Sequence, residues 1–256
     1  MDFKKQIDLF SKSDAEYYGD KNFITNSQLG KLAKSPKALE HYRQYGQPET
    51  NALIFGRAMH MAIFEPDKFT KEVIVYEGKT RRGKAWEEFK ESNKDNTIIS
   101  ASEGETIKRM RDKLYSLPRL KELLTDGDAE VVNCWQDEDT GVYCKGKSDM
   151  IKEMNGLKVL VDLKTCQEHN EDYFRKSCVK YGYDRQSAFY TDGFKADEFW
   201  FVAIEKQAPF DIGLYMCSPE FIEYGRMKYK KLLEQYNDYF IRQEGDINNY
   251  YIESIL

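Results

Sequence analysis

The sequence predicts an α/β fold: a mixed β-sheet flanked by helices, behind a helical N-terminal part. Two observations carry this. Helix-like segments fill the first half, whereas from Ala129 the order becomes three meandering strands, helices, two more strands and a long closing helix. Within the meander, Asn155-Gly156 separates two β-rich runs and is the strongest short-range signal for a type I′ hairpin turn.

Ser27 to Leu32 reads as a short helix. Ser35 is an N-cap with Pro36 at the first helical position, and that helix runs through KALEHYRQY to a stop at Gly46. The segment NALIFGRAMHMAIFEP is apolar on most of its surface, which predicts a buried helix ending before Pro66. YEGKTRRGKAWEEFKESNKDN is a basic loop leading into an amphipathic helix, and a longer helix is expected from about Ser102 to Leu124. EVVNCWQDEDTGVYCKGKSDMI reads as two strands joined at Asp139-Thr140-Gly141, and the run from Leu157 to Thr165 makes the third. EDYFRKSCVKYG and DRQSAFYTDGFK read as helices, EFWFVAIEK and DIGLYMCS as strands, and PEFIEYGRMKYKKLLEQYNDYFIRQ as the closing helix. One domain over 1–256 is expected, with a helical part at about 1–125 and a sheet-containing core at about 129–245, completed by helix 52–64.

At 256 residues, 41% hydrophobic and 32% charged, the composition is that of a soluble globular protein. The longest apolar run, Phe199 to Ile204, falls far short of the ~20 residues of a membrane helix. MDFKKQIDLFSKSDAEYYGD lacks the apolar core of a secretory signal, so a cytoplasmic location is expected. The five cysteines are odd in number and form no C-x-x-C pair, which predicts reduced thiols. A net charge of -5 does not advertise a polyanion partner, so any nucleic-acid contact must come from a local patch. The densest is KTRRGK at 79–84, with Trp86 one helical turn on. Arg81, Arg82 and Lys84 could neutralise phosphates; the alternative is a solvated loop.

A two-residue turn fixes the hairpin register. Met154 then faces Leu157, Ile151 faces Leu160 and Asp149 faces Asp162. Opposed Cβ atoms are about 4.5–5.5 Å apart, and like charges there are destabilising. Leu160, Asp162 and Lys164 share one face of the strand, Val159, Val161 and Leu163 the other, so Asp162 has apolar neighbours on both faces and should be buried. A buried carboxylate facing a second one either protonates or recruits a cation. A divalent metal resolves the repulsion; the alternative is a partly exposed pair neutralised by Lys164 or Lys147. Elsewhere, Gly56 and His60 lie one helical turn apart, so that a residue without a side chain leaves space beside the imidazole. Gln186 and Tyr190 share a helix face. Glu130 reads as a solvated strand end; the alternative is that it reaches the site.

Asp149 followed by Asp162-x-Lys164 matches the PD-(D/E)xK nuclease signature. With His60 upstream and Gln186 and Tyr190 downstream, the chain resembles the RecB-like branch of that superfamily, most closely the RecE-type (exonuclease VIII) phage and prophage exonucleases. SPKALEHYRQ, FGRAMHMAIFEPDKF, TRRGKAWEEFKE, TGVYCKGKSDMI, DLKT and YDRQSAFY carry the likeness over roughly residues 27 to 205; Ser148 stands where that pattern usually has Pro. The resemblance implies a restriction-endonuclease-like core. It makes His60, Asp149 and Asp162 side-chain ligands, with the Leu163 carbonyl, of Mg²⁺ (or Mn²⁺), two ions per site. Lys164 becomes the catalytic lysine, and Gln186 and Tyr190 support the scissile phosphate. No cysteine precedes Cys134, so the iron–sulfur cluster of some RecB-like nucleases has no counterpart. The resemblance further implies 5′ to 3′ degradation of linear double-stranded DNA to mononucleotides and 3′ single-stranded tails. It implies a homo-oligomeric ring, a single-strand annealing partner, and a phage or prophage origin in a bacterial cytoplasm. The alternatives are a structure-specific or flap endonuclease on the same core, and a non-cutting DNA-binding derivative.

Overall fold

Each of the first five helices opens on a side chain that accepts a main-chain N–H of its own first turn. These caps are Asp2 for α1 (Phe3–Lys12), Ser13 for α2 (Asp14–Gly19), Thr25 for α3 (Asn26–Leu32), Ser35 for α4 (Pro36–Tyr45) and Thr50 for α5 (Asn51–Phe64). The computed structural model describes residues 1–253. α4 stops at Gly46, whose φ of 72° suits a residue without Cβ. α5 ends ahead of Pro66, which opens α6 (Pro66–Glu72).

The basic loop leads into α7 (Lys84–Ser92), and α8 (Ala101–Tyr115) begins on a capping box between Ser100 and Glu103. Two features depart from the sequence expectation. A parallel pair, β1 (Val73–Tyr76) with β2 (Thr97–Ser100), interrupts the helical part; four residues are too few for alternation to stand out. The single helix expected from Ser102 to Leu124 is two, because Pro118 has no N–H to donate and opens α9 (Pro118–Thr125) instead of continuing α8.

β3 (Asp128–Gln136), β4 (Tyr143–Met154), β5 (Leu157–Cys166), β6 (Glu198–Glu205) and β7 (Ile212–Met216) form a five-stranded sheet in that spatial order. α10 (Glu171–Tyr181) and α11 (Tyr183–Phe194) connect β5 to β6, the parallel pair; its other neighbours are antiparallel. α12 (Pro219–Tyr236) follows β7 and runs on into a π-helical turn, Asn237–Arg242. Asn155 and Gly156 have φ of 52° and 79°, the left-handed pair that a type I′ turn needs, and the register of β4 on β5 follows.

Val159, Val161 and Leu163 of β5 join one apolar core with Met59 and Ile63 of α5 and residues of α8 and α9. Leu160, with Phe199 and Phe201 of β6, joins another with Phe174 and Cys178 of α10 and Phe194 of α11. A fully buried aliphatic side chain contributes about 1.5–3 kcal/mol, so β5 is held from both faces. Asp162 and Lys164 inherit that rigidity. α1 and α2 are pinned to β4 by Lys145, whose side chain is 1% exposed; its Nζ donates to the Tyr17 carbonyl at 2.5 Å and lies 4.5 Å from the Phe10 ring centroid.

Candidate active site

The β4–β5 ladder ends at the pair Met150–Val161. One step on, Asp149 and Asp162 stand opposite each other in the same register, but outside the ladder. There the Leu163 N–H donates to Asp149 Oδ2 at 2.9 Å, so a carboxylate takes the place of a main-chain acceptor. In an extended strand the N–H and C=O of one residue point the same way. The Leu163 carbonyl therefore opens towards Asp149 as well.

α5 brings His60 to this split. Its Nε2 is 2.9 Å from the same Asp149 oxygen, and its Nδ1 is 3.0 Å from the Gly56 carbonyl one turn back. Donation to that carbonyl assigns the Nδ1 proton and leaves Nε2 facing Asp149. Gly56 is not needed to make room for the ring, as the sequence suggested, because a Cβ there would meet nothing within 4 Å. From the other side, Gln186 of α11 donates through Nε2 to Asp162 Oδ1 at 2.5 Å. Lys164 Nζ lies 2.7 Å from Asp162 Oδ2, so the ammonium is the ion-pair partner of that buried oxygen.

Burial opposes every charge here, and the neighbours decide the outcome. Asp162 is pushed up by burial, with Asp149 reinforcing and Lys164 opposing. Burial would raise Asp149 too, but the charges of His60 and Lys164 and the hydrogen bonds to it hold it down. For His60, burial disfavours the imidazolium, yet Asp149 outweighs it and pushes the group up to about 9. Burial likewise disfavours the Lys164 ammonium, and Asp162 overcomes it, keeping the lysine charged. Carboxylate oxygens, a main-chain carbonyl and one imidazole suit a hard divalent cation such as Mg²⁺ or Mn²⁺. Such a cation and the His60 proton compete for the same atoms.

Tyr190, one turn beyond Gln186, packs its ring on Phe194 and against Gly146 of β4 instead of hydrogen-bonding a carboxylate. Arg81, Arg82 and Lys84 are not brought to the carboxylates either. Arg81 pairs with Glu103 of the α8 capping box and reaches Asn51 at the start of α5, roughly 13 Å along that helix from His60. Lys84 is exposed, with Glu88 3.7 Å away. Glu130 is no solvated strand end: its side chain is 17% exposed and its Oε2 lies 2.7 Å from Lys147 Nζ. Tyr183 escaped the sequence reading; three residues before Gln186 on the same helix face, it sets its ring 4.8 Å from Lys164 Nζ. At the ends of β5 and β6, the ligand atoms of His169, Glu205 and Asp211 come within 4.8 Å of one another. There the His169 ring and main-chain N–H both reach Glu205 Oε1, at 2.8 and 2.9 Å, and close the loop into α10.

The profile of the family described as a PDDEXK-like domain of unknown function (DUF3799) matches residues 25–246. Among solved structures, a Eubacterium rectale protein provisionally named an exonuclease superposes with a TM-score of 0.61, at 15% identity over 95% of each chain. That likeness is one of fold. The crystal structure of SSO0001 is more distant, with a TM-score of 0.40 and 12% identity over 89% of this chain and 85% of its own, and carries no argument. No curated protein matches the sequence. A mixed five-stranded sheet flanked by helices is what a restriction-endonuclease-like core requires. The matched span contains His60, Asp149, Asp162, Lys164 and Gln186 and leaves α1 and α2 outside it, and the chain belongs to the family of PDDEXK-like domains.

Proposed function

We propose that the protein is a metal-dependent DNA exonuclease of RecE type. It degrades linear double-stranded DNA from 5′ to 3′ into mononucleotides and leaves 3′ single-stranded tails for single-strand annealing. One observation carries the reading: two carboxylates face each other on adjacent strands, Asp162 buried and Asp149 half-buried, beside a lysine kept charged. His60, Asp149, Asp162 and the Leu163 carbonyl are the groups that would hold the metal. When bound, divalent ions supply an activated water and stabilise the leaving 3′ oxygen of an in-line displacement.

The chain's own residues do the rest. Lys164 is a donor and a cation, so it binds a phosphate oxygen and offsets the charge that builds there instead of taking a proton. Gln186 holds Asp162 Oδ1 and so fixes which oxygen faces Lys164. The Gly56 carbonyl orients His60 through Nδ1. In this reading Arg82 and Lys84 guide the duplex, while Arg81, held by Glu103, fixes their loop.

Mn²⁺ at about 100 times its dissociation constant should stabilise the native chain by about 2.7 kcal/mol. For a chain of this length the melting temperature then rises by roughly 5–11 °C. His60→Ala should shrink the rise, and a melt indifferent to millimolar Mn²⁺ would remove the metal from the reading.

The activity is tested on linear duplexes labelled at either end and on closed circles, each with Mg²⁺. Early release of the 5′ label as mononucleotide, with circles intact, is the expected result. Release from 3′ ends reverses the polarity, equal cutting of circles moves the reading to an endonuclease, and binding without cutting moves it to the non-cutting derivative. A homo-oligomeric ring around the duplex and an annealing partner in a bacterial cytoplasm complete the proposal; mass in solution tests the first.

A further inference from the structure

β3 pairs with β4 at Ala129–Met150 and again at Val131–Ser148. Between these pairs Glu130 stands opposite Asp149, with φ at 53° in the left-handed region. The β4–β5 register places Asp162 opposite Asp149 on the other side. Glu130, Asp149 and Asp162 therefore form one row across three strands, and like charges so placed repel. A lysine stands at each end. Lys164 Nζ is 2.7 Å from Asp162, and Lys147 Nζ is 2.7 Å from Glu130 and 3.4 Å from Asp14 of α2. Two lysines thus stand against three carboxylates in this row, and Asp162, 6% exposed, has Lys164 as the cation at its Oδ2.

We propose that Glu130 is a third acidic residue of the metal centre beside Asp149, and that Lys147 is its internal counter-ion, which a divalent cation displaces towards Asp14. The proposal rests on the nuclease reading. It gives the half-buried, left-handed Glu130 a purpose that a plain ion pair does not. A Glu130–Lys147 pair alone would be satisfied at the protein surface, whereas this one sits in line with Asp149 and the buried Asp162. Asp14 offers Lys147 a second resting place, and Asp14 is itself held by Lys68 at 2.7 Å.

Mn²⁺ binding to the intact chain, read from the loss of the free-ion electron paramagnetic resonance signal, tests it. Glu130→Gln should weaken binding about tenfold, in the range for residues that support a metal centre, and Lys147→Gln should tighten it several-fold. If Glu130 served only to neutralise Lys147, the double variant Glu130→Gln/Lys147→Gln would bind as Lys147→Gln does. The proposal expects it to bind about tenfold more weakly. Equal binding by those two variants overturns the proposal. The double variant leaves neither charge unpaired, so it keeps the test open if Glu130→Gln alone fails to fold. Asp162→Asn separates the two levels of inference. Binding lost in Asp162→Asn but unmoved across the Glu130 cycle refutes Glu130 alone, whereas binding indifferent to Asp162→Asn, or absent from the parent, refutes the metal centre itself.

Discussion

Lys164→Met is expected to slow duplex digestion by at least about 10²–10³-fold, the range for losing one charge-stabilising donor, with the fold retained. The ammonium is placed by β5, by Asp162 at 2.7 Å and by the Tyr183 ring, so no neighbouring cation substitutes for it. Removing one partner of a buried pair can cost about 3–5 kcal/mol. Here the loss should be smaller, because burial already favours the neutral form of Asp162, while Gln186 still holds Oδ1. Methionine fills much of the vacated volume. Asp162→Asn is the companion variant: it relieves the repulsion with Asp149, so its melting temperature in chelator should be no lower than the parent's, and Mn²⁺ should no longer raise it. Single-turnover digestion with Mg²⁺ and paired thermal melts measure both. Near-parental digestion by Lys164→Met would sink the role of the lysine.

The parts of this site that were legible in the sequence are those set by local rules. Asn155-Gly156 fixes a register by its own backbone preference, and that register alone puts Asp149 opposite Asp162. Apolar residues on both sides of Asp162 reveal its burial without any knowledge of α5 or α11. What stayed hidden depends on distant partners. The ending of the ladder at Met150 is invisible in spacing, since it depends on where β4 parts from β5. Glu130 could not be placed because β3 and β4 are joined by the longer loop from Asp137 to Val142, which sets no register by counting. Lys145 reads as an ordinary strand lysine; its carbonyl partners on Tyr17 and Asp20 lie more than a hundred residues away. Arg81, in the loop before α7, reads as a free phosphate ligand for the same reason, its partner Glu103 lying on α8.

The packing of α12 on α11 leads to a second large effect, at a residue remote from the carboxylates. A Cβ at Gly225 would overlap the Asp184 carbonyl group and come within 3.0 Å of Arg185 N. Those atoms are main chain and cannot turn aside as a side chain could. Helix propensity favours Ala over Gly by about 1 kcal/mol, but overpacking of a closed interface costs about 1–3 kcal/mol and more where backbone must move. The clash should decide the sign. Gly225→Ala is expected to lower the melting temperature by roughly 4–8 °C, the equivalent of a net loss of about 2 kcal/mol at this chain length. Gly56→Ala is the control: open space meets a Cβ there, so it should be neutral or stabilising. Forcing α12 away also shifts the first turn of α11, where Asp184 pairs with Lys228 at 2.5 Å. Gln186 lies two residues on, and its amide holds Asp162 Oδ1. Digestion by Gly225→Ala should therefore fall about tenfold, within the range for disturbing a residue that orients a ligand. The Mn²⁺-induced rise in melting temperature should persist, because Asp149 and Asp162 belong to the sheet and not to the displaced helix. A Gly225→Ala chain that melts at or above the parent would show that α11 and α12 do not meet this closely, and Gln186 would then need another explanation for its position.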